Sequence, residues 1–150
     1  MLAAPLAALT CSLAAAKAVV RTTHLTIPAS QSVSGGAYRI SPGDVDGTIC
    51  IPLPGGKKAM VLTVGSGGTA GDIDWAIYTS GGGAWKLALV RGGYKLGLVR
   101  KGADIVETDP IYKKNDPNCC PSGGFAHTRW HWNGSKFTVV RTWHDSKYRE

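Results

Sequence analysis

The chain has 150 residues, of which 43% are hydrophobic and 18% charged, and its formal net charge at pH 7 is +7. That length suits one domain with a core that does not depend on disulfides, and the 20 glycines argue against a protein built from long helices. The basic residues are spread along the chain, so the positive charge is compatible with an anionic polymer or surface but does not select one.

The N-terminal segment has the composition of an export signal. No charged residue occurs before Lys17. Such an apolar run is short for a membrane span of about 20 residues, but it suits the apolar region of a signal peptide, and small residues allow cleavage after Ala16 or Ala18. We predict a signal peptide or leader helix at residues 1–18, no transmembrane span in the mature chain, and a secreted, periplasmic or envelope-associated location. Lipidation at Cys11 and an apolar helix of the mature fold are the alternatives.

The rest of the chain is predicted to be mainly β. Residues 19–43 are interpreted as an extended arm and residues 44–150 as a β-rich domain, in which residues 73–79 alternate like a half-buried strand. We expect a single antiparallel meander sheet or a partly closed barrel. The predicted strands before the last hairpin are residues 48–53, 58–64, 73–79, 85–90, 94–99, 105–108 and 111–113.

The C-terminal hairpin is the best-defined predicted element. Asn133-Gly134 is a preferred pair for a two-residue type I′ turn, and it joins residues 125–132 to residues 135–143. This register places Trp130 opposite Phe137 on an apolar face. The other face is expected to be cationic and exposed, and it supplies the predicted binding residues, which are His127, Arg129, His131 and Lys136.

A calcium site is only weakly indicated. Asp44 and Asp46 precede Gly47 as in the start of a calcium-binding loop. Leu53 stands where an EF-hand would need glutamate. A turn without a metal is therefore the preferred interpretation of this segment, and no cofactor is predicted.

The histidines do not specify a catalytic or metal site. On a strand, His127 and His131 would lie about 13 Å apart, which is too far for one ion. His144-Asp145 resembles half of a catalytic pair, but the sequence specifies no nucleophile for it. We therefore predict no catalytic residues.

The four cysteines leave several pairings open. If the leader is removed together with Cys11, the disulfide candidates are Cys50, Cys119 and Cys120: either Cys50 bridges to one of the adjacent pair, or that pair bonds to itself. Neighbouring Cα atoms are about 3.8 Å apart, below the usual disulfide span of about 4.4–6.8 Å, so a vicinal bond would be strained and more easily reduced. Disulfide chemistry indicates an oxidising compartment.

An Asp-Pro-x-Cys-Cys-Pro loop, residues 116–121, follows an Asp/Gly turn, an apolar strand and a Gly-rich segment. In these features the stretch from about Asp44 to Phe137 resembles an uncharacterised family of exported bacterial β-rich proteins, periplasmic or lipoprotein-like. The Cys-Cys-Pro loop is the specific part. The resemblance implies an envelope or extracellular location, and it brings no catalytic residues.

Together these features predict a non-enzymatic extracytoplasmic binding module whose basic hairpin face contacts an anionic envelope polymer or a carbohydrate. A thiol/disulfide redox protein that uses Cys119 and Cys120 is the first alternative, and a small secreted inhibitor is the second. Nucleic acid is not an expected partner of an exported protein.

Overall fold

The computed structural model describes residues 9–68 and 71–148. Within these residues a helix, α1 (Leu13–Thr23), precedes all the strands, and short 3-10 turns follow it. The strands are β1 (Thr26–Ile27), β2 (Tyr38–Arg39), β3 (Val45–Pro52), β4 (Lys58–Gly65), β5 (Asp72–Gly81), β6 (Ala84–Gly92), β7 (Gly97–Lys101), β8 (Asp104–Pro110), β9 (Phe125–Trp132) and β10 (Phe137–Asp145). The prediction of a mainly β chain is confirmed.

The described strands form three antiparallel sheets rather than the one sheet expected from the sequence, and none of the three closes into a barrel. β1 pairs with β2, a first four-stranded sheet has the order β3-β4-β5-β6, and a second has the order β10-β9-β8-β7. Between β6 and β7, Lys95 adopts a left-handed conformation with φ 52°. Residues 93–96 thus connect the last strand of the first sheet to the first strand of the second in chain order.

The first sheet is covered on both faces, which explains the unbroken apolar run of β4. Met60 and Leu62 pack with α1 in one buried cluster, whereas Val61 packs against the second sheet in another. β5 is divided in the same way, with Tyr78 in the first cluster and Trp75 in the second. The strand predicted to be half-buried is therefore buried on both sides, because α1 and the segment that follows it cover its other face.

The helix α1 is part of the core. Ala16, Val19 and Val20 recur at helical spacing, and all three are buried. Ser12 caps the first turn, because its Oγ accepts a hydrogen bond from the backbone N–H of Ala15 at 3.1 Å. Residues 19–23, which were expected to begin an extended arm, are helical, and Val19 and Val20 among them complete the face that packs on the first sheet.

A disulfide joins Cys11, just before α1, to Cys50 in β3. The predicted leader spans residues 1–18, of which residues 1–8 lie outside the described part of the chain. Cleavage after Ala16 or Ala18 remains a prediction, and it would cut the chain within α1. No helix in the described ranges is long and apolar enough to cross a membrane.

The strands β9 and β10 form the predicted hairpin, but with a longer loop and a different register. Trp130 is paired with Val139 rather than with Phe137. Oδ1 of Asn133 accepts hydrogen bonds from the backbone N–H of Ser135 at 2.9 Å and from that of the next residue at 3.0 Å. These bonds stabilise a loop over residues 133–136 in place of the two-residue type I′ turn.

The segment between α1 and β3 is anchored on a buried carboxyl group. Asp74 in β5 is 1% exposed, and its Oδ2 accepts a hydrogen bond from Tyr38 Oη at 2.5 Å. Burial raises the pKa of Asp74 to about 6, although the hydrogen bond from Tyr38 acts to lower it. The stability of this attachment should therefore depend on pH.

We expect the Asp74→Asn variant to lose part of the pH dependence of stability. An unfolded aspartate has a pKa of about 3.9, so between about pH 4 and pH 6 the folded state holds a proton that the unfolded state has released. As the pH rises through this window, the free energy of unfolding should fall by at most about 3 kcal/mol on account of Asp74. Burial also raises the pKa of Asp109 to about 6, so the variant should keep the part of the pH dependence that comes from Asp109.

Urea unfolding at about pH 4.5 and pH 7.5 measures this difference. Wild type should lose more free energy of unfolding between the two pH values than Asp74→Asn does. The exposed carboxylate variant Asp44→Asn is the matched control and should behave like wild type. An equal pH dependence in wild type and Asp74→Asn would contradict the prediction.

Candidate functional site

A cleft of about 630 Å³ lies where the β4–β5 connection of the first sheet meets the loop between β8 and β9. Its lining combines aromatic rings, a glycine-rich backbone, two carboxylates and one ammonium group. The described residues that line it are Asp46, Gly65, Ser66, Gly67, Gly68, Gly71, Asp72, Lys95, Leu96, Pro110, Tyr112, Cys119, Pro121, Phe125 and Tyr148.

Two edge-to-face aromatic pairs contribute rings to the cleft. Phe125 and Tyr148 have ring centroids 5.3 Å apart, and Tyr112 packs against Tyr94 with centroids 5.5 Å apart. This geometry is favoured by the ring quadrupoles and fixes the orientation of each ring. The cleft therefore presents apolar ring surfaces, contributed by the β8–β9 connection, by the first residue of β9 and by the residues that follow β10.

Lys95 places a positive charge at this cleft. Its left-handed backbone conformation costs of order 1 kcal/mol for a residue other than glycine. Its Nζ donates a hydrogen bond to the backbone carbonyl of Asn118 at 2.5 Å and lies 5.7 Å from the ring centroid of Tyr94. A strained backbone that is held by such contacts is typical of functional positions.

The loop that carries the adjacent cysteines is organised by Asp116. Its Oδ2 accepts hydrogen bonds from the backbone N–H groups of Ser122 and Lys113, both at 2.7 Å, and from Ser122 Oγ at 3.0 Å. The hydrogen bonds from Ser122 and Lys113 hold the pKa of Asp116 below its usual range. Cys119 and Cys120 are exposed and bonded to each other, and Cys119 lines the cleft. Asp116 thus holds the two ends of the loop, and Cys119 and Cys120 lie between them.

Asn118 connects this loop to the cleft. Its backbone carbonyl accepts hydrogen bonds from Lys95 Nζ and from Tyr112 Oη, the latter at 2.7 Å, and its Oδ1 accepts one from Tyr94 Oη. Lys95 and Tyr112 both line the cleft. The residue next to Cys119 therefore positions two side chains of the candidate site.

The cysteine pairing corrects part of the prediction. Cys50 is bonded to Cys11 and not to Cys119 or Cys120, which bond to each other. The four cysteines all lie in the described ranges, and none of them is free. The partner of Cys50 could not be predicted, because the sequence interpretation placed Cys11 in a segment to be removed.

The two residues weakly indicated as calcium ligands, Asp44 and Asp46, lie in different elements of the fold. Asp44 belongs to a 3-10 turn, whereas Asp46 Oδ1 accepts a hydrogen bond from Thr63 Oγ1 at 2.6 Å. A Cβ on Gly65 would come within 2.9 Å of Asp46 Oδ2, so glycine lets β4 approach this carboxylate. Across residues 9–68 and 71–148, no three His, Cys, Asp or Glu side chains are grouped closely enough to hold an ion.

His127, predicted to lie on an exposed binding face, is buried. It is 1% exposed, its ring is stacked on Trp143, and its nitrogen atoms lie 2.8 Å from Thr108 Oγ1 and 2.7 Å from Asp145 Oδ1. The prediction failed because β10 and the residues around Asp145 cover this part of the sheet. The carboxylate of Asp145 therefore pairs with His127 and not with its sequence neighbour His144.

This hydroxyl, imidazole and carboxylate chain has the order of a catalytic triad, but Thr108 is itself only 1% exposed. A substrate could not reach its hydroxyl without displacing the residues that cover it. The chain therefore satisfies buried polar groups, and we assign it no catalytic role.

The other predicted binding residues lie near the surface of the second sheet. Arg129 and His131 both contact the carboxylate of Asp104, at 2.6 Å each, and Lys136 is exposed in the hairpin loop. Partial burial acts to raise the pKa of Asp104, but the hydrogen bonds from His131 and Arg129 hold it below its usual range. Asp104 therefore offsets part of the positive charge expected on this face.

The sequence did not predict the cleft, although it identified the cysteine loop on its rim. The aromatic rings at positions 112, 125 and 148 are far apart in sequence, and they carry no shared spacing. No protein-family model, curated protein or solved structure matches this chain.

Proposed function

We propose that this protein is a non-enzymatic binding module that acts outside the cytoplasm, in the envelope or the secreted fraction, and that it binds a carbohydrate in the cleft. The observation that carries this proposal is the combination of aromatic walls with a few charged groups. Phe125 and Tyr112 supply ring faces or edges, while Asp46 and Lys95 supply an acceptor and a donor.

A sugar ring has the matching chemistry. Its C–H faces are apolar and pack on aromatic rings, and its hydroxyl groups exchange hydrogen bonds with carboxylate and ammonium groups. Binding sites for small molecules commonly have such largely apolar walls with a few placed polar groups, and volumes of about 300–1,000 Å³. The cleft, at about 630 Å³, has room for an oligosaccharide segment of a few rings.

The hairpin face gives less support to binding of an anionic polymer. Asp104 engages both Arg129 and His131, and the side chain of Arg129 is 37% exposed. An exposed ion pair weakens the field that would attract an anion. We therefore place the partner in the cleft and not on the cationic face predicted from the sequence.

The extracytoplasmic part of the proposal is supported by the disulfides. Cys11–Cys50 and Cys119–Cys120 account for all four cysteines. Such bonds persist in oxidising compartments and are rare in the cytosol of most organisms.

We expect a glycan array of neutral, amino and acidic oligosaccharides to retain the wild-type protein. The Phe125→Ala variant should bind about tenfold more weakly, because a lost ring contact is worth about 1.4 kcal/mol. Isothermal titration calorimetry with the best-retained free oligosaccharide measures this change. Leu87→Ala removes an exposed apolar side chain outside the cleft lining and should bind like wild type.

Two results would count against the proposal. One is that no glycan on the array retains the folded wild-type protein. The other is that Phe125→Ala, with its thermal unfolding unchanged, binds as tightly as wild type.

A further inference from the structure

The Cys119–Cys120 disulfide contributes little to holding the fold together. A cross-link stabilises a protein mainly by restricting the unfolded chain, and the restriction grows with the length of the closed loop. Adjacent residues enclose no intervening chain, so this bond restricts almost nothing beyond the two residues. The two ends of the surrounding loop are already held by Asp116 through its contacts with Lys113 and Ser122, and the cysteine pair lies between these ends.

Both sulfur-bearing residues are open to solvent. Cys119 and Cys120 are exposed, and Cys119 lines the cleft. Exchange requires a thiolate to approach a disulfide sulfur, so accessibility is a precondition for it. The Cα separation of adjacent residues also falls below the usual disulfide span, which favours reduction of a vicinal bond.

A change at the cysteine pair would be transmitted to the cleft through the next residue. Asn118 is covalently joined to Cys119, and its carbonyl holds Lys95 and Tyr112. When the bond opens, the peptide between the two cysteines is free to relax. That relaxation would shift the Asn118 carbonyl and, with it, the ammonium group and a ring of the candidate binding site.

We propose that Cys119–Cys120 is a thiol–disulfide exchange site that reacts with a dithiol reductant, and that reduction weakens ligand binding in the cleft. The second half of this inference rests on the proposed carbohydrate function. In this role the exposed cysteine pair is a site of regulatory modification, and the protein is not a general oxidoreductase.

The reaction is an ordinary thiol–disulfide exchange. One thiolate of the dithiol attacks a sulfur atom of the pair, the S–S bond breaks, and the released cysteine thiolate takes up a proton. The second thiol of the dithiol then displaces the other cysteine from the mixed disulfide. The products are two cysteine thiols and the oxidised dithiol, with two electrons and two protons transferred to the protein.

The exchange is tested by titrating the folded wild-type protein with dithiothreitol, alkylating the free thiols and mapping them by mass spectrometry. Cys119 and Cys120 should be alkylated at dithiothreitol concentrations that leave Cys11–Cys50 intact, because the core packing of α1 supports the latter bond. Reduction of both bonds together, or of Cys11–Cys50 first, would overturn the exchange site.

The coupling to the cleft has a readout that needs no ligand. Amide hydrogen exchange at residues 94–96 and 112–124 should be faster in the selectively reduced protein and in the Cys119→Ser/Cys120→Ser variant than in the oxidised wild type. Unchanged exchange at these residues in both samples would refute the coupling.

Measured oligosaccharide affinities distinguish redox regulation of the cleft from the proposed carbohydrate binding itself. The best-retained oligosaccharide should bind the selectively reduced protein and the double serine variant at least tenfold more weakly than it binds oxidised wild type, and the variant should not respond to dithiothreitol. Equal affinities in all three would refute the regulation while leaving the function in place. Failure of oxidised wild type to bind any glycan would refute the function, and the alkylation and exchange measurements would still decide whether the exchange site exists.

Discussion

Replacing both Cys11 and Cys50 with serine is expected to lower the free energy of unfolding by about 4 kcal/mol, from the loop-closure entropy of a cross-link between residues 39 apart. The bond ties the start of α1 to β3, and α1 packs on the face of the first sheet that carries Met60 and Leu62. Without the bond, the helix can separate from the sheet at a lower free-energy cost, which would expose the cluster that contains Met60 and Leu62.

Urea unfolding of the oxidised proteins measures this loss. The matched control is Cys119→Ser/Cys120→Ser, for which the same entropy argument gives only about 1 kcal/mol or less. If the two double variants are destabilised equally, the loop-closure explanation is wrong, and the local geometry of the vicinal bond must contribute to the fold.

The second large effect is expected at Glu107, a buried carboxylate between the two four-stranded sheets. Glu107 is 2% exposed, and it accepts hydrogen bonds from Trp75 Nε1 and from two nitrogen atoms of Arg91, at 2.9 and 3.2 Å. Arg91 lies 5.5 Å from the ring centroid of Trp130 in β9. One carboxylate thus connects residues of both sheets.

Glu107→Leu should lower the free energy of unfolding by about 3–5 kcal/mol, because it leaves the guanidinium and the indole N–H without their acceptor. Adding Arg91→Leu should restore part of this loss, since the uncompensated charge is then removed as well. Urea unfolding at neutral pH compares the single and double variants.

Asp104→Asn provides the comparison for Glu107→Leu. Its partners Arg129 and His131 have side chains that are 37% and 49% exposed, so this change should cost about 1 kcal/mol or less. A loss of that small size for Glu107→Leu would mean that water replaces the carboxylate and that the sheets do not depend on it.

Much of the strand layout could be predicted because strand formation leaves a local signature. The apolar run of β4, the alternation in β5 and the boundaries of β9 all depend on neighbouring residues, and all three strands occur close to their predicted positions. Asn133 also marks the last hairpin correctly, although its side chain stabilises a longer loop than the expected type I′ turn. That difference of loop length changed the register and moved Val139 opposite Trp130.

The division into two sheets was not predictable from such patterns. A strand that is covered by a helix on one face and by a sheet on the other has no polar face. Asp74 and Tyr78 in β5 could be assigned to solvent on the basis of residue type, yet both are buried. The burial of Tyr78 depends on α1, where Thr23 contacts its hydroxyl group, and the burial of Asp74 depends on Tyr38 in the segment after the helix. Residues 13–18 of that helix fall within the predicted leader.

A basic, mainly β protein with disulfide chemistry at Cys119 and Cys120 was predictable, because composition, period-two patterns and adjacent cysteines are local properties of the chain. The bond from Cys50 to Cys11, the burial of His127 beside Asp145 and the meeting of distant aromatic residues in one cleft appear only in the folded protein. These are contacts between residues far apart in sequence. Their formation depends on how sheets and connections are placed in space, and no local spacing encodes that placement.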